Sequence, residues 1–180
     1  MVKWALLAVL GIFVSLSVFL FFRLGLYKSV EMNIVSDLQF HFLYKEFKGP
    51  YHKILNTIQE VEAFAKTKNI ACTKTFGEYL DDPAKKNEVD LVSNGGCVLT
   101  SQIDSVDAQS GILFKSEGPS KYLKASFLGS PSVGPIKVYP KALEWFKRED
   151  RTISSRVLEV YVIQEDGTMV TEYYFPLGND

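Results

Sequence analysis

Cys72 and Cys97 are the chain's only cysteines, and their spacing suggests a covalent link rather than catalysis. Each falls in a strand-like stretch, with the turn-forming segment Asp81-Asp82-Pro83-Ala84-Lys85-Lys86-Asn87 midway between them. An antiparallel hairpin centred there sets positions 72 and 97 close to opposite one another, within the Cα separation that a disulfide needs. Two buried free thiols are the other reading. A disulfide would imply an oxidising compartment. His41 and His52 are the only histidines, and neither has a second ligand at metal-site spacing, so no metal is expected. Nor does the sequence set a histidine beside a cysteine to activate it. Gly-x-Ser-x-Gly and phosphate-loop patterns are missing, and no cofactor is expected. The Gly129 to Gly134 stretch reads as a turn in which Ser130 or Ser132 caps a helix.

The N-terminus is of another kind. Residues Trp4 to Phe22 carry no charge, and Ser15 and Ser17 are their only polar side chains. At about 1.5 Å per residue such a run crosses a hydrocarbon core of roughly 30 Å. Lys3 and Arg23 flank it, and Trp4 sits near one boundary, as interfacial anchors do. A cleaved signal peptide would have a shorter apolar core and a small-residue cleavage site, which Phe21-Phe22-Arg23-Leu24-Gly25-Leu26 does not supply. Residues 1–23 are therefore expected to form a single-pass transmembrane anchor, with 24–37 as juxtamembrane connector. Flanking charges are nearly balanced, so orientation leans on the cysteine pair, which favours an exported, extracytoplasmic domain.

The rest reads as one α+β unit, 38–180. Leu38 to Lys45 alternates as a strand, and Gly49-Pro50 ends it. A helix follows with Ile54, Ile58, Val61 and Ala65 on one stripe and Leu55 beside it. Strands are expected over 71–80 and 89–100, with Gly95-Gly96 marking a bulge or a close backbone approach. Residues 101–120 read as a linker holding a short edge strand at Ile112-Leu113-Phe114. The order then returns at 121–177: a strand to Leu128, a break at Gly129-Ser130-Pro131, and a helix through Pro140 to Arg148. Strands 156–164 and 168–175 follow, joined by Asp166-Gly167. Pro135 and Pro140 imply that this helix is kinked or starts late.

Phe47-Lys48-Gly49 matches Phe127-Leu128-Gly129, and Tyr79 and Tyr161 follow at similar distances. Two β-α-β-β copies give a mainly antiparallel six-stranded sheet with two helices, preceded by the transmembrane helix. Neither copy is large enough to bury its own face, so the two should pack as one domain. Once Lys3 and Arg23 leave with the anchor, 18 basic side chains face 21 acidic ones, and no basic cluster is present. That balance argues against a nucleic-acid partner.

Three segments carry a family likeness: Tyr44-Lys45-Glu46-Phe47-Lys48-Gly49-Pro50-Tyr51, Phe76-Gly77-Glu78-Tyr79-Leu80-Asp81-Asp82-Pro83 and Leu158-Glu159-Val160-Tyr161. Together they resemble the GyrI-like small-molecule-binding domain, which also serves as effector domain of multidrug-sensing regulators. The order of anchor and domain is similar to a membrane-anchored branch that includes a vertebrate ER-phagy receptor. This chain has no DNA-binding module and no long disordered tail, so neither a transcriptional role nor that receptor's recruitment role carries over. The resemblance implies a groove between the two helices, lined by aromatic rings, with an acidic residue of the fifth strand at its floor. Glu159 is the match, on the same strand face as Val157 and Tyr161. Tyr79, Tyr51, Trp145 and Tyr161 are the accompanying ligand-binding candidates.

A carboxylate among rings suits a flat, cationic or polar ligand, since cation–π contact adds to charge attraction. The plainer reading makes Glu159 a solvated strand carboxylate paired with Arg156 or a lysine. For Tyr51 and Trp145 it is core packing. Three functions follow: a membrane-tethered binding module for a small amphipathic or aromatic ligand, a hydrolase of electrophiles using Glu159 and Tyr79, or a membrane-tethered scaffold for an unknown protein partner.

Overall fold

The computed structural model describes residues 2–103 and 110–178. Helix α1 (Val2–Arg23) has no buried residue, which suits a helix that is apolar on every side. Its serines, Ser15 and Ser17, donate their hydroxyls back to the carbonyls of Gly11 and Phe13, so neither hydroxyl proton is left without an acceptor. The helix is long and apolar enough to cross a membrane.

Six strands follow: β1 (Val30–Lys48), β2 (Lys74–Tyr79), β3 (Val92–Leu99), β4 (Leu113–Leu128), β5 (Val157–Ile163) and β6 (Met169–Pro176). Helix α2 (Ile54–Thr67) lies between β1 and β2, and α3 (Gly134–Arg148) between β4 and β5. Every neighbouring pair is antiparallel, and the order β1-β3-β2-β5-β6-β4 closes into a barrel through the β1–β4 pair. Read from either end, this order is one repeat followed by the reverse of the other. The β2–β5 and β1–β4 seams therefore join the repeats. The Phe-x-Gly match has a structural counterpart, because the rings of Phe47 and Phe127 press against Gly49 and Gly129, where a Cβ would lie 3.0 and 2.7 Å from the ring.

The barrel has two apolar sides. Phe40, Phe42, Phe76, Tyr122, Leu158, Val160 and Tyr174 fill the inside. On the outside α3 packs Val138, Ala142 and Phe146 against β4–β6, and α2 packs Val61 and Ala65 against Leu43 and Cys97. The stripe Ile54, Ile58, Val61 and Ala65 is buried as its spacing implies, whereas Leu55 is exposed. Gly96 meets the backbone of Leu43 and Tyr44 so closely that a Cβ would lie 2.1 Å from the Leu43 carbonyl oxygen, which is the close approach that the glycine pair signals.

Several boundaries differ from the sequence reading. Strand β1 starts at Val30, so most of the expected connector is strand; its phase is broken at Asp37 (φ 56°), where the β1–β4 register shifts. The expected linker is strand from Leu113 onward, paired with Leu38–Tyr44, while its residues 104–109 lie outside the described ones. Helix α3 starts at Gly134 with Pro135 in its first turn, and Pro140 is held inside the helix. Cys72 and Cys97 are joined by a disulfide (S–S 2.01 Å, Cα–Cα 5.3 Å). They are not strand partners, however: Thr75 faces Cys97, and Cys72 lies in the segment between α2 and β2.

Candidate functional site

Glu159 lies on β5 opposite Gly77 of β2, at the seam between the repeats. Its side chain is on the outer face, between the two helices, and is only 4% exposed. The Tyr139 hydroxyl, from α3, donates to one carboxylate oxygen (3.0 Å), and Tyr161 donates to the other (3.2 Å). The Tyr79 hydroxyl stands 3.1 Å from that of Tyr161. With the Tyr161 proton committed to the carboxylate, Tyr79 is the donor in that pair. Gly77 makes this possible, since a Cβ there would lie 3.0 Å from the Tyr79 hydroxyl.

A second layer supports this chain. Tyr51, in the short 3-10 turn before α2, sets its ring edge-on to Tyr79, centroids 4.7 Å apart. Its own hydroxyl donates to the Asp81 carbonyl and accepts from the Asp81 amide (both 2.9 Å), which pins β2. Tyr173 of β6 pairs across the strand with Glu159 and packs edge-on to Tyr139.

No lysine or arginine balances Glu159 among the described residues: its environment consists of burial and two phenolic donors. Burial dominates and pushes its pKa up from 4.5 to about 7, against the lowering effect of the Tyr139 and Tyr161 hydrogen bonds. Burial likewise raises Tyr139, Tyr161 and Tyr79, and the nearby Glu159 charge adds to it.

Glu78 provides the contrast. It is 1% exposed but lies inside the barrel, where Lys115 and Asn94 donate to one oxygen (2.7 Å each) and Arg156 to the other (2.6 Å). Arg156 also bonds Glu117. Burial pushes Glu78 up, but the Lys115 and Asn94 hydrogen bonds and the Lys115 and Arg156 charges outweigh it and hold the pKa low. The ion pair with Arg156 that would have made Glu159 an ordinary strand carboxylate is therefore formed by Glu78.

The structure thus brings Glu159, Tyr79 and Tyr161 together, with Tyr51 behind them. It does not bring Trp145 there. That ring packs against Phe146 and lines a separate depression with Met32, Ile34, Lys141 and Arg148. Nor does Glu159 face an open groove, because tyrosines cover it. Sequence reasoning missed Tyr139 and Gly77. The signal for Tyr139 was its place one residue before Pro140, inside a helix that begins at Gly134.

The family model for the GyrI-like small molecule binding domain matches residues 31–177. This chain belongs to that family. Among solved structures, the GyrI-like domain here is similar to the C-terminal domain of EcmrR, at 15% identity and TM-score 0.65, covering 84% of this chain and 99% of that one. It is also similar to EcmrR in a complex with DNA (12%, TM-score 0.64), covering 99% of this chain and 69% of that one. SAV2435 bound to tetraphenylphosphonium matches at 9% identity and TM-score 0.51, over 84% of this chain and 95% of its own. A hydrolase encoded by lin2189 from Listeria innocua matches at 11% and TM-score 0.51, over 82% and 92%. At these identities the likeness is one of fold. Curated proteins provide no match.

Proposed function

We propose that this GyrI-like domain binds a small aromatic cation at Glu159, between α2 and α3, and that α1 holds the domain on a membrane as a single-pass anchor. One observation supports the site above all: a buried carboxylate surrounded by tyrosines and lacking the cations that nearby Glu78 has. A buried anion without a balancing cation is costly, so at neutral pH Glu159 populates both its protonated and its ionised form. An aromatic cation supplies the missing charge and replaces ring–ring contacts with cation–π contacts. Because tyrosines cover Glu159, entry requires at least one of the Tyr79, Tyr139 and Tyr161 rings to move aside. SAV2435 bound to tetraphenylphosphonium makes that cation a rational probe.

The test is thermal unfolding of the full chain in detergent with tetraphenylphosphonium and with its neutral relative triphenylphosphine oxide. The cation should stabilise the wild type and leave Glu159→Gln unmoved. Equal effects of the two compounds would count against a carboxylate-centred site.

A hydrolase reading has one point in its favour, since a carboxyl with a pKa of about 7 is well suited to act as general base. It requires turnover of a reactive electrophile that Glu159→Ala abolishes. For the domain we infer an extracytoplasmic position from the Cys72–Cys97 bond. With its acidic balance we expect no nucleic-acid partner.

A further inference from the structure

We propose that the barrel end next to α1 is itself a membrane contact, seated in the interfacial layer of the bilayer rather than swinging on a free tether. This rests on the reading of α1 as a span. The junction is built rather than loose. Helix α1 ends in a paired turn, Gly25 N–H to the Phe22 carbonyl (3.2 Å) and Leu26 N–H to the Phe21 carbonyl (3.1 Å), with Gly25 left-handed at φ 73°. A Cβ at Gly25 would lie 3.0 Å from the Leu128 carbonyl oxygen, so the turn sits directly on the end of β4.

Two further segments close around it. The Ser130 amide donates to the Leu24 carbonyl (3.2 Å), and the Lys137 ammonium, from the first turn of α3, donates to the carbonyls of Leu26 (2.6 Å) and Lys28. The Gly129 amide donates to the Met169 carbonyl (3.1 Å), which draws the β5–β6 hairpin to the same place.

Large apolar side chains are left exposed around this junction: Leu26, Tyr27 and Leu128, with Ile136 at 75% and Ile163 at 72%. Apolar side chains gathered where a spanning helix emerges are continuous with its lipid-facing surface. Tyr27 packs near Phe21 and Phe22 with the Lys28 ammonium over its ring, the aromatic and cationic pairing that suits the headgroup level. Glu165 and Asp166 are exposed at the hairpin tip, and the cost of burying a carboxylate confines the proposed contact to the headgroup layer. At the other end of the sheet Val89 is as exposed (68%), but it lies in the short 3-10 turn Glu88–Asp90 leading into β3, whose first residue Val92 pairs with Lys48 at the end of β1 away from α1.

The full chain in lipid nanodiscs tests this with one nitroxide at a time on Leu10→Cys, Ile136→Cys, Ile163→Cys and Val89→Cys. The native cysteines are bonded to each other and take no label. Collision with oxygen relative to a polar nickel chelate reports lipid or water. The expected order is a high ratio at Leu10, a several-fold higher ratio at Ile136 and Ile163 than at Val89, and a water-like value at Val89. Lipid-like Leu10 with water-like Ile136 and Ile163 overturns the seated surface and leaves the anchor standing. Water-like Leu10 overturns the anchor and this proposal with it.

Discussion

Glu78 and Glu159 stand on neighbouring strands, one register step apart, and their side chains leave through opposite faces of the same sheet. Both are buried, and only Glu78 has cations to meet it. One carboxylate is therefore neutralised within the barrel, and the other is met by tyrosine hydroxyls alone.

Stability should reveal this difference through pH. The folded-state pKa of Glu159, about 7, lies above its ordinary value of 4.5, so the folded form holds the proton more tightly than the unfolded one. Its contribution is greatest below pH 4.5, declines as the pH rises, and levels off above 7. At about 1.4 kcal/mol per pKa unit the loss is on the order of 3 kcal/mol. Glu159→Gln should escape it, being more stable than wild type at pH 8 and equal to it near pH 4.5. Denaturant unfolding at the two pH values checks this.

Glu78→Gln should do the opposite. Removing that charge leaves the half-buried Arg156 and Lys115 with Glu117 as their remaining anion, and losing the charged hydrogen bonds to Glu78 costs about 1.5–3 kcal/mol. Urea midpoints at pH 7 should fall sharply for this variant while rising for Glu159→Gln.

Tyr139→Phe removes a hydrogen bond that lowers the Glu159 pKa. The carboxyl should then titrate higher than in wild type, observed as the pH dependence of its carbon resonance. An unchanged or lower midpoint would mean that the Tyr139 hydroxyl does not bond the carboxylate.

Reducing the Cys72–Cys97 bond releases a loop with a sequence separation of 25 residues. The unfolded chain gains closure entropy worth about 3 kcal/mol. Thermal unfolding with and without reductant should show that loss, and Cys72→Ser should show it without reductant.

Much of this was legible in the chain because local rules govern it. The α2 stripe, the Asp166-Gly167 hairpin and the Phe-x-Gly repeat all follow from spacing and turn chemistry. Glu159 and Tyr161 share a face by strand alternation alone. The start of β1 was also written there, since Val30, Met32 and Ile34 alternate, but the left-handed Asp37 and the adjoining bulge break the phase before Leu38. Closure of the barrel was not legible, because the β1–β4 pairing depends on contacts remote in sequence. Tyr139 was hidden for a similar reason. A proline beside it suggests a helix boundary, and only packing of α3 against β4–β6 keeps Pro140 inside the helix. Trp145 looked like a groove residue but lies on a different side of that helix.

Calorimetry of tetraphenylphosphonium binding at pH 6 and pH 8 tests most directly whether Glu159 is a carboxylate that takes up a cation. A permanent cation must expel the Glu159 proton, so affinity should rise with pH through about 7 and proton release should accompany binding at pH 6. Glu159→Gln should abolish both. Binding of equal strength at the two pH values, unaltered in Glu159→Gln, would contradict the account.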